Sequence, residues 1–374
     1  MNRRAGRQQP AQRQHQGGLT LVEVMIALTL SLVLLAGVMQ VFVATRTTYR
    51  VDEGLARLQE NGRFAIGHLT QRVRMAGYLG CQSSSLTNKL NGGTGFAYDL
   101  GTPIAGFEAS GTGSGDTLTL GAIDPAASST ASDWSPNLDA ALVGSVVPGS
   151  DVIVVRSADT SVFQLVAPYN DGSAVAVDAA AGFGTGDLLV VSDCSKAHLF
   201  QVTAASVSGG TATLSHAAAG TPGNAAAAWT LPAEQYAAGA EVSRADTTAF
   251  YIGVGADGSP ALFQQVLQSS SAGAGSSNLV AQELIPGAES LQLEYGEDTD
   301  GNQLADVYRT ADAVADWGSV VAVRMALLVR TQEEQQQDLN AATFGLLTTT
   351  VDPVDDRRMR RTFESSVALR NRLP

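Results

Sequence analysis

Residues 19–43 read LTLVEVMIALTLSLVLLAGVMQVFV, an apolar run of 25 residues carrying one charge, Glu23. As a helix this run spans about 37 Å at ~1.5 Å per residue, enough to cross a bilayer core of about 30 Å. Beyond it Val51, Leu55, Leu58, Ala65, Leu69 and Val73 recur near helical spacing, with Arg57, Gln59, Arg63 and Arg72 at other positions. That pattern predicts a helix that continues amphipathically to about Met75 and ends before Gly77. Gly54, Gly62 and Gly67 weigh against unbroken helicity there.

From Tyr78 onward the pattern changes to short runs punctuated by Gly, Ser, Asp and Pro. These predict strands at Thr117–Leu120, Asp151–Arg156, Asp187–Ser192, Leu199–Thr203, Thr248–Val254, Ser290–Tyr295, Val320–Arg330 and Thr362–Arg370. Val321, Val323, Met325, Leu327 and Val329 alternate onto one face, as do Phe363, Val367 and Leu369, which describes half-buried antiparallel strands. Stretches 106–116, 125–137 and 269–278 read as Gly/Ala/Ser/Asp loops. The expected fold is α+β: a long N-terminal helix, membrane-spanning and then amphipathic, packed on a large antiparallel β-rich head. The expected divisions are a basic leader at 1–18, the helix at 19–77 with its span to about 43, and the head at 78–374.

Charge sharpens the division. Arg3, Arg4, Arg7 and Arg13 precede the apolar run without an acid among them, whereas the whole chain carries a net charge of −13. Basic residues before the span predict a cytoplasmic N-terminus and a body on the other side. The acidic balance argues against nucleic acid as a partner. An ordinary secretory signal has an apolar core of about 7–15 residues followed by its cleavage site; here the run is longer, and Gly17-Gly18 lie before it. A plain anchor leaves the intramembrane Glu23 unexplained, because such carboxylates are costly and usually paired.

Gly18-Leu19-Thr20-Leu21-Val22-Glu23 resembles the class III signal of type IV pilins and pseudopilins. The resemblance implies cleavage after Gly18 by a membrane-embedded prepilin peptidase and N-methylation of Leu19. It also implies that Glu23 neutralises an N-terminal amine as helices stack. Leu19 stands where the family usually has Phe, and the helix-kinking proline of major pilins is missing. The head resembles the PilW-type minor pilins in scattered motifs, thin through 85–145 and 205–240: Met75-Ala76-Gly77-Tyr78-Leu79-Gly80-Cys81, Asp193-Cys194 with Ala197 and Phe200, Leu291–Tyr295, Arg360-Arg361-Thr362-Phe363 and Val367-Ala368-Leu369-Arg370-Asn371. This implies a low-abundance, non-enzymatic subunit of the inner membrane with a periplasmic head, which primes pilus assembly and sits near the tip. Its implied partners are the peptidase and, through the N-terminal helix, other minor pilins and the major pilin. A minor pseudopilin of a type II secretion system shares the leader, and a tip adhesin or ligand-binding module on a pilin stem is the third reading.

Few residues offer site chemistry. Cys81 and Cys194 are the only cysteines; outside the cytoplasm they are expected to form one bridge, with two separate thiols as the alternative. Asp298, Asp300, Asn302 and Asp306 place oxygen side chains at spacings that suit calcium, although Asn302 and Gln303 depart from the DxDxDGxxD pattern of extracellular calcium loops. A polar loop of Asx turns is the plainer reading. Gly253–Gly258 matches GxGxxG in form, but Ser259-Pro260 follow instead of a helix, so a hairpin turn is expected. The histidines, His15, His68, His198 and His216, lie far apart without metal spacing. Arg357, Arg358, Arg360 and Arg361 beside Asp355 and Asp356 are expected to pair locally. Nothing in the sequence resembles a catalytic motif.

Overall fold

The computed structural model describes residues 18, 20–81, 86–92, 95–122, 129–170, 172–226, 229, 231, 234–270 and 276–372. The chain divides into two units, Met1–Glu53 and Gly54–Pro374, and one helix, Leu21–Arg74, contributes to both.

In the first unit every described residue up to Arg50 is exposed, including Leu21, Val33, Leu34 and Phe42. The helix is long and apolar enough to cross a membrane. Its hydroxyls are turned inward: Ser31 donates to Ala27 O at 2.7 Å, Thr45 to Val41 O at 2.8 Å, and Thr29, Thr47 and Thr48 likewise bond the preceding turn. Such back-bonding removes polar hydrogens from the helix surface and leaves a side-chain exterior suited to lipid or to other apolar helices.

In the second unit the remaining turns of the helix bury Gly54, Leu58, Gly62, Ala65, Leu69 and Val73. Four of these were expected; Leu55 is only half-buried, and two glycines take places in the stripe. The helix runs on to Arg74 as expected, and the packing accounts for the glycines that weighed against it. A Cβ at Gly62 would lie 2.1 Å from the Phe363 ring, and one at Gly54 would meet the Gln335 amide. The helix is unbroken because its glycines permit a close backbone approach, which offsets their low propensity.

The stripe enters a core built from two sheets. The large sheet is ordered Leu86–Asn88, Lys196–Gln201, Leu188–Asp193, Glu241–Val254, Val152–Ala158, Ile104–Ala109, Trp134–Ser135, with the hairpin Pro260–Ser270 and Ser276–Pro286 and the short strand Phe163–Gln164 attached to Glu241–Val254. The fourteen-residue strand Glu241–Val254 is its hub, pairing Leu188–Asp193 through its first half and Val152–Ala158 through its second. Within Val152–Ala158, Ile153 and Val155 face the helix-side core while Val152 and Val154 face a second one. Burial on both faces explains the unbroken V-I-V-V run.

The C-terminal sheet is ordered Val307–Arg309, Ala288–Glu297, Val320–Arg330, Arg360–Ala368. Its Leu291, Leu293, Val323, Met325, Leu327, Val329 and Val367 share the core with the helix. Val320, rather than the expected Val321, joins them, because the pairing shifts register between Gly296 and Glu297. Two small three-stranded sheets complete the head, and the pairings Leu86–Asn88 with Lys196–Gln201 and Thr349–Asp352 with Thr117–Thr119 are parallel. All eight expected strands overlap observed ones. The expected loop at 106–116 is corrected in its first part, since Ile104–Ala109 is a buried strand. The expected loop at 269–278 is corrected at both ends by the long hairpin, with 271–275 outside the described residues. In the expected loop at 125–137, Trp134–Ser135 forms a strand and 125–128 lie outside the described residues.

Backbone bonds and a few side chains lock the sheets together. Ser150 Oγ accepts from Leu291 N–H at 3.0 Å, Asp151 N–H donates to Leu291 O at 2.9 Å, and the Asp151 carboxylate accepts from Leu293 N–H at 2.8 Å. At the end of the helix Asn371 Nδ2 donates to Met75 O and Ala76 O, both at 3.3 Å.

The two kinds of helical glycine should respond oppositely to substitution. Gly62→Val forces side-chain volume into the Phe363 ring and should destabilise the protein by roughly 1–3 kcal/mol. Gly67→Ala, with nothing within 4 Å of the new methyl, should be neutral or stabilise by up to about 1 kcal/mol. Denaturant unfolding of the detergent-solubilised chain measures both.

Candidate functional site

The helix start is organised by Thr20 and Glu23. Thr20 N–H and Oγ–H each donate to Glu23 Oε2 at 2.9 Å, and Glu23 N–H donates back to Thr20 Oγ1 at 3.3 Å. This is a capping box, T-x-x-E, in which side chains satisfy backbone donors that the first helical turn leaves free. The signal is present in the sequence as Thr20-Leu21-Val22-Glu23, and the capping role of Glu23 adds to the processing and pairing roles that the class III resemblance implies. Gly18 stands two residues before the cap with nothing within 4 Å of a built Cβ, and Leu19 lies outside the described residues.

Beyond the helix the chain enters the large sheet through the Met75–Cys81 segment. Gly77 (φ +76) donates its N–H to Arg156 O at 2.9 Å, and Tyr78 O accepts from Ala158 N–H at 2.5 Å. Gly80 (φ +83) sits where a Cβ would meet Ser192 Oγ at 2.5 Å and Glu241 Oε2 at 2.6 Å. Cys81 then bonds Cys194, with the Cα atoms 4.9 Å apart at a sequence separation of 113. The expected bridge is therefore present, and it ties the segment after the helix to the turn between Leu188–Asp193 and Lys196–Gln201. Asp193 beside it accepts from Ser195 and Lys196. Burial raises its carboxyl, but those bonds outweigh this and hold it down to about 2.

The acidic loop gathers as its spacing suggested. One carboxylate oxygen from each of Asp298, Asp300 and Asp306 lies within 4.8 Å of the others. These oxygens also serve the loop's own backbone. Asp298 accepts from Gly301 N–H at 2.7 Å and Gln303 N–H at 2.8 Å, and Asp306 accepts from Thr299 N–H and Oγ–H at 2.8 Å each. The Thr299 bonds hold the Asp306 carboxyl below its ordinary value. Asn302 Nδ2 donates to Asp300 Oδ2 at 2.9 Å. Gln303, which departs from the glycine of calcium loops, still adopts φ +68, so the turn keeps the left-handed geometry despite the side chain. The set is all oxygen and fits a hard cation such as calcium, while the same contacts make a self-supporting Asx turn.

Two histidines expected to be isolated are brought to one place. His198 and His216 both stack on Trp229, with ring centroids 5.4 Å and 4.4 Å away. Tyr169 and Phe200 pack edge-on against the same indole. His198 Nδ1 is bonded to the Tyr236 hydroxyl, whereas neither ring nitrogen of His216 has a partner among the described residues. Burial pushes both imidazoles down to about 4. Nothing in the spacing of single histidines pointed to this cluster, because residues on five separate segments form it.

The arginine cluster pairs locally and at long range. Arg358 and Arg360 both bond Asp356, and Arg360, with its side chain fully buried, also holds Glu289 at 2.7 Å. Gly253–Gly258 closes the hairpin between Glu241–Val254 and Pro260–Ser270, as expected.

A capped apolar helix carrying a β-rich, disulfide-bonded head defines a pilin-like α+β protein. Residues 13–39 match the prokaryotic N-terminal methylation motif, and residues 249–371 match the family of type IV pilus-assembly protein W. The second match covers the long hairpin and the whole C-terminal sheet. Together the matches are consistent with a pilin of the pilus-assembly protein W type, a structural rather than a catalytic family. No curated protein and no solved structure matches the chain.

Two outcomes follow from the geometry. Replacing both Cys81 and Cys194 by Ser releases a long loop and should cost roughly 2–5 kcal/mol, read from denaturant unfolding of the solubilised chain against the wild type. For the histidines, the folded state favours neutral rings, with values near 4 against 6.5 for the free side chain. Their contribution is thus fully present above pH 6.5 and is lost as pH falls toward 4. His216→Phe keeps the ring against Trp229 without titrating, so wild-type stability should fall relative to this variant across that window in thermal melts.

Proposed function

We propose that this chain is a minor pilin of a type IV pilus. Prepilin peptidase removes the basic leader 1–18 and methylates Leu19, and the helix 19–77 anchors the protein in the inner membrane through its span to about residue 43. The head, 78–374, lies in the periplasm and, after assembly, near the pilus tip. The observation that carries this reading is the coincidence on one chain of the methylation motif at 13–39 and the assembly-protein match at 249–371. The exposed apolar helix supports it, since such a surface is stable only against lipid or sister helices. Glu23 then has two successive uses: it caps its own helix in the single subunit, and it compensates an N-terminal amine when subunits stack. A pseudopilin of a type II secretion system shares the leader and is the alternative; the match to a pilus-assembly family favours the pilus. Calcium at Asp298, Asp300, Asn302 and Asp306 is a finer expectation that rests on the oxygen-only donor set.

Gly18→Val separates processing from folding, because a side chain there meets nothing within 4 Å among the described residues. N-terminal sequencing and intact mass of membrane-extracted protein should show a chain beginning at N-methyl-Leu19 for the wild type and an uncleaved chain for the variant. Deleting the gene should sharply reduce surface pili. Cleavage at another position would remove the pilin reading, and normal piliation in the deletion strain would remove the priming role.

A further inference from the structure

Glu108 and Asp151 are 5% and 1% exposed, and the Thr112 and Tyr295 side chains beside them are fully buried. Asp151 belongs to the junction between the sheets: Oδ1 accepts from Ala109 N–H at 3.0 Å and Oδ2 from Leu293 N–H at 2.8 Å. Thr112 Oγ1 lies 2.7 Å from Ala109 O, 3.1 Å from Glu108 Oε1 and 3.4 Å from Asp151 Oδ1. A threonine hydroxyl has one proton to give. If the shortest contact takes it, the hydroxyl has no proton left for the two carboxylate oxygens that face it.

Two further oxygens at this place lack a partner of good geometry. Glu108 Oε2 and the Tyr295 hydroxyl are buried without a hydrogen-bond partner among the described residues, although the Ala311 backbone amide lies near enough to the Glu108 carboxyl to act on it. The Tyr295 hydroxyl lies over the strand face that carries Glu108, since a Cβ at Gly106, two residues before Glu108, would be 2.2 Å from it. No cationic side chain is ion-paired with either carboxylate among the described residues. The other charge felt by both is a third acid, Asp312. Buried carboxylates without compensation are strongly destabilising, so either protons or a bound cation must compensate the pair at this junction.

We propose that Glu108, Asp151, Thr112 and Tyr295 form a buried calcium site that fastens the large sheet to the C-terminal sheet. The donors are hard oxygens from two carboxylates, a hydroxyl and a phenol. Calcium accepts such a set with flexible geometry, whereas magnesium demands a regular octahedron and retains its waters. The site is separate from the surface loop at Asp298–Asp306, which provides carboxylates and amides in a self-bonded turn.

The test uses calcium itself on the detergent-solubilised full chain, after the surface loop has been neutralised by Asp298→Asn, Asp300→Asn and Asp306→Asn. Equilibrium dialysis should still find one calcium bound per chain, and calcium should raise the melting midpoint relative to a chelator. Adding Glu108→Gln should abolish both, and Tyr295→Phe should weaken calcium binding several-fold. No calcium bound by the loop-neutralised chain overturns the proposal, as does binding that survives Glu108→Gln in a folded variant. A melting midpoint that follows pH and ignores calcium would show that protons compensate the pair, and also overturns it. The calcium count on the loop-neutralised chain decides the matter even if Glu108→Gln does not fold.

Discussion

Leu69 and Val73 are fully buried in a core that also contains Ile153, Val155, Phe250 and Ile252 of the large sheet and Leu291, Val323, Met325 and Leu327 of the C-terminal sheet. Two sheets thus share one helix face, and the arrangement depends on how closely the helix can approach. Gly62 sets that distance, because Phe363 occupies the volume a larger side chain would take. Polar pairs at the rim keep the helix in register: Arg72 with Asp246 at 2.6 Å, His68 with Gln264 at 2.9 Å, and Thr70 with Ser365 at 3.2 Å. The segment after the helix is held in turn by Gly77, Gly80 and the Cys81–Cys194 bridge.

The head handles its buried charges in two ways. Arg360, with Glu289 on Ala288–Glu297 and Asp356 before its own strand, forms a compact group in which each charge has an opposite partner. Such a group adds little net stability, because desolvation offsets much of the Coulomb gain. Glu108 and Asp151 sit at the other junction without an ion-paired cation among the described residues, and burial pushes both carboxyls above their usual range.

The first unit follows a different rule. Its apolar side chains are outside, and its hydroxyls are folded back onto the helix backbone. A water-soluble domain would bury the former and expose the latter. The same logic places Glu23 at the helix start, where it bonds Thr20. The carboxylate that looked anomalous in an apolar run is locally satisfied before any second subunit is considered.

Local chemistry alone determined the apolar run, the methylation motif, the strand-rich head and the turn at Gly253–Gly258, because each depends on neighbouring residues and on a short period. The acidic loop was legible for the same reason: Asp298, Asp300 and Asp306 are close in the chain and remain close in space. Tertiary structure decided the rest. The loop-like composition of 106–116 concealed a buried strand, since small residues such as Gly106 leave room for Tyr295 packing across from another sheet. The stacking of His198 and His216 on Trp229, and the meeting of Glu108 with Asp151, join residues from separate segments. The Cys81–Cys194 bridge stood between, suggested by composition but settled only by a 4.9 Å separation that the folded backbone provides. Periodicity reports what a residue does for its own helix or strand; which distant group it meets is set by the packing of whole elements, and no local pattern encodes that distance.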